Sequence, residues 1–246
     1  MRHHGPDSIN HLLDTLTDTS TPSLRIHFPT ETVSSPGQHL SKSASATPPS
    51  FSVSASALKN LKFPNNDLSP VSSHTSNPED DQTKSPATNE DQDLDTNPLT
   101  IPRFLITTLD LDAPFPSFPV LGPILHGMQA DLALSTSFTG EDGVETEKQF
   151  VPLEHDTNFN RGKDDEGEVA RYMGPSPPAW SEPHRYLCLM WQQPEGVTGD
   201  RIREEMGWGR RKDGKIGAWE RVRFDQGRFE ERFGLGEVVA GNYFVC

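Results

Sequence analysis

The sequence predicts a mainly β or α+β domain, and three observations lead there. Apolar runs of strand length outnumber segments with helical period, the helical patterns are short and come late, and every Trp and Tyr lies between Tyr172 and Tyr243. Core-building material is therefore concentrated in the second half. Residues 1–100 hold 11 Pro, 17 Ser and 12 Thr but only three aromatics, Phe28, Phe51 and Phe63. Gly and Pro together supply 41 of the 246 residues, and only 32% of the chain is hydrophobic, so one tight core cannot run through all of it. No internal repeat is visible.

Residues 1–21 read as a loosely attached arm, with one helical hint in Ile9, Leu12, Leu13 and Leu16. Residues 22–246 read as a single domain. Leu24 to Phe28 alternates apolar and polar as a half-buried strand does, and Pro36-Gly37 supplies a turn. Phe51 to Ala55 alternates again. A stretch at about 64–98 has almost nothing to bury and reads as a disordered polar insert. Phe104 to Leu109 is near-continuously apolar, which suits a strand in the middle of a sheet. Pro114, Pro116, Pro119 and Pro123 then fix φ along a stiff extended connection. Ile124 to Leu134 returns to strand-like content, and an acidic loop follows at about 141–170. Arg185 to Trp191 is the most apolar run and reads as a buried strand. Thr198 caps a short helix carrying Ile202 and Met206 and stopped by Gly207, and Asp225 caps another carrying Phe229 and Phe233 and stopped by Gly234. Asp213-Gly214 has the residue types of a tight turn. Asn242 to Val245 closes as a strand.

The net charge of −14 resolves into two short segments. Residues 65–100 carry eight acids against one Lys and residues 141–170 carry ten against three bases, so each contributes −7 and the remainder sums to zero. Such stretches are solvated loops rather than a steering field, and nucleic acid is excluded as a partner. The basic run Arg210-Arg211-Lys212 reads as a solvated turn. No apolar run approaches the roughly 20 residues of a bilayer span. The start of the chain lacks the apolar stretch of a secretory signal, so the expectation is a soluble, cytoplasmic protein. Cys188 and Cys246 are too few for a disulfide scaffold and are expected as free thiols.

Chemistry concentrates at a few positions. Asp110 and Asp112 sit two apart at the end of a strand, so a continued extended backbone would turn both carboxylates to one side. The same period puts His184 and Tyr186 on one face at the start of another strand, with Arg185 opposite. His126 follows the proline loop. Gly174 begins a turn in which Pro175, Pro177 and Pro178 lack an N–H, leaving Gly174 and Ser176 as donors. Two imidazoles meeting two carboxylates would be more readily protonated and would form a small-anion site. The alternative stays open that an Asp at a strand end simply accepts turn hydrogen bonds. No metal is assigned, since the His and Asp spacing is non-specific, and no cofactor is implied. Nucleophile elbow, phosphate-binding glycine loop and HExxH patterns are absent from the sequence. Ser181 and Cys188 lie near His184, and either becomes a nucleophile only with a base at hydrogen-bond distance.

Asp110-Leu111-Asp112-Ala113-Pro114 with His126, then Tyr172 to Pro178 with His184-Arg185-Tyr186, resemble the two signature blocks of the phosphatidylethanolamine-binding protein family. Phe233 to Gly236 and Val239 to Phe244 resemble its C-terminal segment. The resemblance implies a central antiparallel sheet with a smaller sheet and short helices. It implies a pocket for carboxylate or phosphoryl ligands formed by Asp110, Asp112, Pro114, His126, Gly174, His184 and Tyr186. Three departures stand out: Leu111 where the family usually has Pro, which would loosen the loop, Ser176 where it usually has Gly, and the stretches at about 64–98 and 141–170, longer than compact members need, which would shield or reshape the entrance. The family's members inhibit kinases or serine carboxypeptidases or act as signalling adaptors. Fungal members, which this chain resembles most, include some that accompany polyketide pathways and are implicated in coupling maleic anhydride monomers. The expected partners are thus a small anion with biosynthetic enzymes, or a protease or kinase at the surface. Whether the chain turns anything over stays open.

Overall fold

The computed structural model describes Ile9, Leu13, Leu16 and residues 23–59, 61, 102–135, 150–155, 168–208 and 216–246. All of them belong to one compact unit, Met1–Leu61 with Pro102–Cys246. The second unit, Lys62–Ile101, contains the expected polar insert and lies outside the described residues, as do the Asp213-Gly214 turn and Arg210-Arg211-Lys212. Among the described residues no helix is long and apolar enough to cross a membrane.

Among the described residues ten strands make the architecture: β1 (Leu24–His27), β2 (Thr32–Val33), β3 (Gln38–His39), β4 (Ser50–Ser54), β5 (Phe104–Asp110), β6 (Ile124–Leu134), β7 (Phe150–His155), β8 (Glu168–Ala170), β9 (Arg185–Gln192) and β10 (Ala240–Val245). They pair in the order β2-β1-β4-β7-β6-β5-β9-β10-β3, with β8 beside β6. Every pairing is antiparallel except β10 with β3. β1 and β4 join the rest of the sheet through β7.

β5 and β9 are buried on both faces, as their near-continuous apolar runs require. On β9, Leu187, Leu189 and Trp191 face one core, while Tyr186, Cys188 and Met190 face the other. The first core packs the sheet against apolar side chains from helices, among them Ile202, Phe229 and Phe233. The second lies between β5, β9 and β10 and the strands β1, β2 and β4, with Leu24, Ile26, Val33 and Val53 opposite Phe104 and Phe244.

The helices described along their whole length are α1 (Ala55–Leu58), α2 (Gly199–Glu205), α3 (Ala218–Arg221) and α4 (Gln226–Phe233). The caps fall where the sequence places them. The Thr198 side chain accepts from Arg201 N–H, the Asp225 side chain from Arg228 N–H, and Gly234 ends α4 at φ 62°.

Two expectations need correction. The acidic stretch is not loop throughout, because β7 and β8 occupy parts of it. Nor are Ile9, Leu13 and Leu16 a loose arm: all three are helical and buried in the first core, their i, i+4, i+7 spacing forming one apolar face.

Candidate functional site

Asp110 is the last residue of β5 and pairs with Tyr186 of β9. His126 reaches it through a bulge in β6. Thr108 pairs with Gly127 and Leu109 with Leu125, leaving His126 as the extra residue between them. His184 precedes β9, its backbone paired with Cys246 through N–H to O contacts of 2.8 and 3.0 Å.

These placements bring Asp110, His126, His184 and Tyr186 together in one buried cluster. His184 Nδ1 donates to Asp110 Oδ2 at 2.9 Å, and His126 Nε2 stands 3.8 Å from the same oxygen. His126 Nδ1 donates to the Met173 carbonyl at 2.7 Å, which in turn fixes the Tyr172–Gly174 segment beside the cluster. The Tyr186 ring meets His126 edge-on at 5.1 Å and stacks on Phe244 at 5.1 Å. Its hydroxyl is buried and has no partner at full hydrogen-bond geometry among the described residues. Burial first, then the Asp110 charge, pushes its pKa up.

Asp112 does not join the imidazoles. Asp110 Oδ1 accepts from Asp112 N–H at 2.9 Å, an Asx turn that ends the extended backbone and with it the two-residue period. The Asp112 carboxylate turns instead to Arg185, accepting from its backbone N–H at 2.8 Å, Nε at 2.9 Å and Nη2 at 2.7 Å. Those hydrogen bonds raise the Arg185 pKa. Arg185, expected to point away, is thus the partner of one predicted site residue.

Pro114 lies in the loop after Asp112, where the neighbouring Ala113 carbonyl accepts from Leu121 and Gly122 N–H at 3.0 and 3.1 Å. Gly174 packs against backbone: a Cβ there would stand 2.9 Å from Ala46 Cα, so its glycine is required by close approach. Leu111 ties the start of the loop to β9. Its N–H donates to the Arg185 carbonyl at 3.1 Å, a bond proline cannot make. Leu111→Pro is accordingly expected to cost about 1 kcal/mol in urea unfolding, and an unchanged midpoint would show that this bond contributes nothing.

The electrostatics also depart from expectation. Burial outweighs the Met173 carbonyl and the Asp110 charge, so the His126 pKa is lowered, with Arg221 and His184 pushing the same way as burial. His126 is therefore neutral near pH 7, with Nδ1–H occupied and Nε2 bare. Arg221, which no sequence pattern marks, holds this region: Nη1 donates to Leu125 O at 3.0 Å and His126 O at 3.4 Å, and Nη2 to Arg171 O at 2.8 Å. Both cysteines are free, and burial pushes the Cys188 thiol up to about 12. Among the described residues no group of three or more His, Cys, Asp or Glu is placed to hold a metal ion.

Comparisons with known proteins agree with this architecture. Carboxypeptidase Y inhibitor of Saccharomyces cerevisiae is 32% identical over 109 residues, 43% of this chain and 46% of that protein. Phomoidride biosynthesis cluster protein N of Talaromyces stipitatus is 30% identical over 143 residues, 58% of each chain. The match thus spans about half the length of these relatives. A crystal structure of carboxypeptidase Y inhibitor complexed with the cognate proteinase superposes with a TM-score of 0.55 at 21% identity, covering 97% of this chain and 91% of that one, a likeness of fold. The family model described as phosphatidylethanolamine-binding protein matches residues 59–237, a span that includes Asp110, His126, His184 and Tyr186. With that much of its length matched, the chain belongs to the phosphatidylethanolamine-binding protein family.

Proposed function

We propose that this chain is a pocket protein that holds a small oxyanion, carboxylate or phosphoryl, on Tyr186 and His126, with His184 packed beside them, and takes up a proton at His126 as it does so. The Tyr186 hydroxyl carries the reading. It is a buried donor with no partner at full hydrogen-bond geometry among the described residues, near the Asp110 carboxylate and shut in with two imidazoles, and a ligand oxygen would satisfy it fully. Neutral His126 offers a bare Nε2, so contact with an anion requires a proton there; Asp110 at 3.8 Å then balances the added charge. The biosynthesis-cluster name of the Talaromyces relative supports a setting beside biosynthetic enzymes, where a carboxylate-bearing monomer such as a maleic anhydride derivative is the ligand.

Sulfate tests this, because its charge is constant over the relevant pH range. Affinity is expected to rise as pH falls toward the lowered His126 pKa, approaching tenfold per unit for one coupled proton, and to level off below it. Without ligand, the lowered His126 pKa makes the fold lose stability as pH falls from the ordinary imidazole value toward the folded one; bound sulfate opposes that loss. Calorimetry in buffers of different ionisation heat counts the proton. Affinity that is flat with pH, or absent throughout, removes the reading. Tyr186→Phe is expected to leave stability unchanged or about 1 kcal/mol higher while weakening sulfate about tenfold.

A second reading is favoured by the exposed aromatics beside the site. Trp180 is 77% exposed with its ring 4.5 Å from that of Phe115, and Phe118 is 63% exposed. These would dock a protein, a serine carboxypeptidase or a kinase, as an inhibitor or adaptor does. Trp180→Ala would then abolish partner binding, and His126 and His184 substituted together would spare it. Retained partner binding by Trp180→Ala counts against this surface.

A further inference from the structure

Ser181 stands outside the cluster just described, three residues before His184. Its Oγ lies 3.1 Å from His184 Nε2, and the opposite ring nitrogen of His184 lies 2.9 Å from Asp110 Oδ2. The Asp110 carboxylate only accepts, so Nδ1 carries the ring proton and Nε2 presents a lone pair to the serine. The burial order is also that of a working relay. His184 and Asp110 are buried at 1% and 4% exposure, whereas Ser181 is only half-buried and accessible.

We infer that Ser181, His184 and Asp110 form a nucleophile, base and positioning carboxylate able to accept an acyl group from an activated ester or anhydride. This goes beyond anion binding and does not depend on it, since the readout is a covalent bond. In the resting protein the Ser181 hydroxyl donates to the Glu182 carbonyl at 2.8 Å. Rotation of the O–H about the Cβ–Oγ bond redirects the proton to His184 without moving the oxygen. Attack then forms the Oγ–C bond and breaks the bond from the acyl carbon to the leaving oxygen. The serine proton passes to His184 Nε2 and on to the leaving group. Water reverses the sequence: it adds to the acyl carbon, the Oγ–C bond breaks, and His184 returns a proton to Ser181. The net reaction is an ester plus water giving an acid plus an alcohol, or an anhydride plus water giving two carboxylic acid groups.

The geometry also limits the substrate class. The backbone N–H of Ser181 is taken by Pro178 O at 3.0 Å and that of His184 by Cys246 O at 2.8 Å. Neither is free to stabilise a developing oxyanion. Only acyl groups with good leaving groups, aryl esters and anhydrides, should therefore react, and amides should not. Trp180, next in the chain to Ser181 and packed on Phe115, offers an aromatic wall for an aryl group.

A fluorophosphonate probe and p-nitrophenyl acetate on the purified chain test this, with peptide mapping by mass spectrometry. The expected result is one adduct on Ser181, absent from Ser181→Ala, and a labelling rate about 10²- to 10⁴-fold lower in folded His184→Gln. Asp110→Asn is expected to slow labelling and shift its pH profile. Since both histidine and aspartate are buried, Ser181→Cys supplies the control that keeps the fold. Its thiol should be alkylated by iodoacetamide at least about tenfold faster at neutral pH than free N-acetylcysteine, because the imidazole favours the thiolate. An unlabelled Ser181 in the folded chain, or a Ser181→Cys thiol of ordinary reactivity, overturns the proposal.

Discussion

Arg221→Met is expected to lower stability by about 3 kcal/mol, enough to bring the melting temperature down by roughly 6–12 °C in a domain of this size. Arg221 is 3% exposed, and its guanidinium donates to three main-chain carbonyls, those of Leu125, His126 and Arg171. Methionine fills much of the volume but removes all three donations; the His126 carbonyl keeps the Met173 N–H at 2.7 Å, so the loss falls on the Leu125 and Arg171 carbonyls. Desolvation works against the arginine: burial lowers its pKa, and its Nε is buried without a partner among the described residues. The three carbonyl bonds should still prevail, because each orphaned buried acceptor costs about 1–3 kcal/mol. Since two of those carbonyls flank the bulge residue His126, the variant should also lose the pH dependence of sulfate binding. Urea unfolding decides the matter. A midpoint at or above that of the parent chain would mean that the buried charge is the net loser.

The second large effect is expected at Asp112. Asp112→Ala should cost about 2–4 kcal/mol, and Asp112→Asn distinctly less. Three donors of Arg185 converge on this carboxylate, but they are not equivalent. The guanidinium side chain is 42% exposed and recovers water when released, whereas the backbone N–H sits at the start of a buried strand and does not. Most of the loss therefore belongs to that single N–H, and Asn, which retains an acceptor oxygen, should restore it. Equal destabilisation by Ala and Asn would shift the weight to the ion pair instead.

The strands legible in the sequence were those with an unbroken or alternating apolar run, β5 and β9 above all, and the helices legible were those with a capping side chain and a terminal glycine. β7 was obscured by Pro152, which interrupts the strand pattern yet sits in the ladder opposite Ser52. β8 is three residues set in acidic surroundings, too short to show a period. At the site, simple alternation placed Asp110, His184 and Tyr186 correctly because all three lie on or beside paired strands. It failed at Asp112, one Asx turn too far. His126 was recognised by type, but the bulge that aims it depends on register between β5 and β6, and register is not written in either strand alone. Arg221 carried no signal, since its partners are carbonyls distant in sequence. Ser181 was visible as a neighbour of His184, and only coordinates supply the separation that gives it a role.

The last residue of the sequence, Cys246, is tied to His184 by reciprocal main-chain bonds. Any polypeptide joined after Cys246 would emerge beside the His184 main chain. An affinity handle attached there could crowd the very groups under assay, whereas a small environment-sensitive dye at the same junction would report on whatever fills the space.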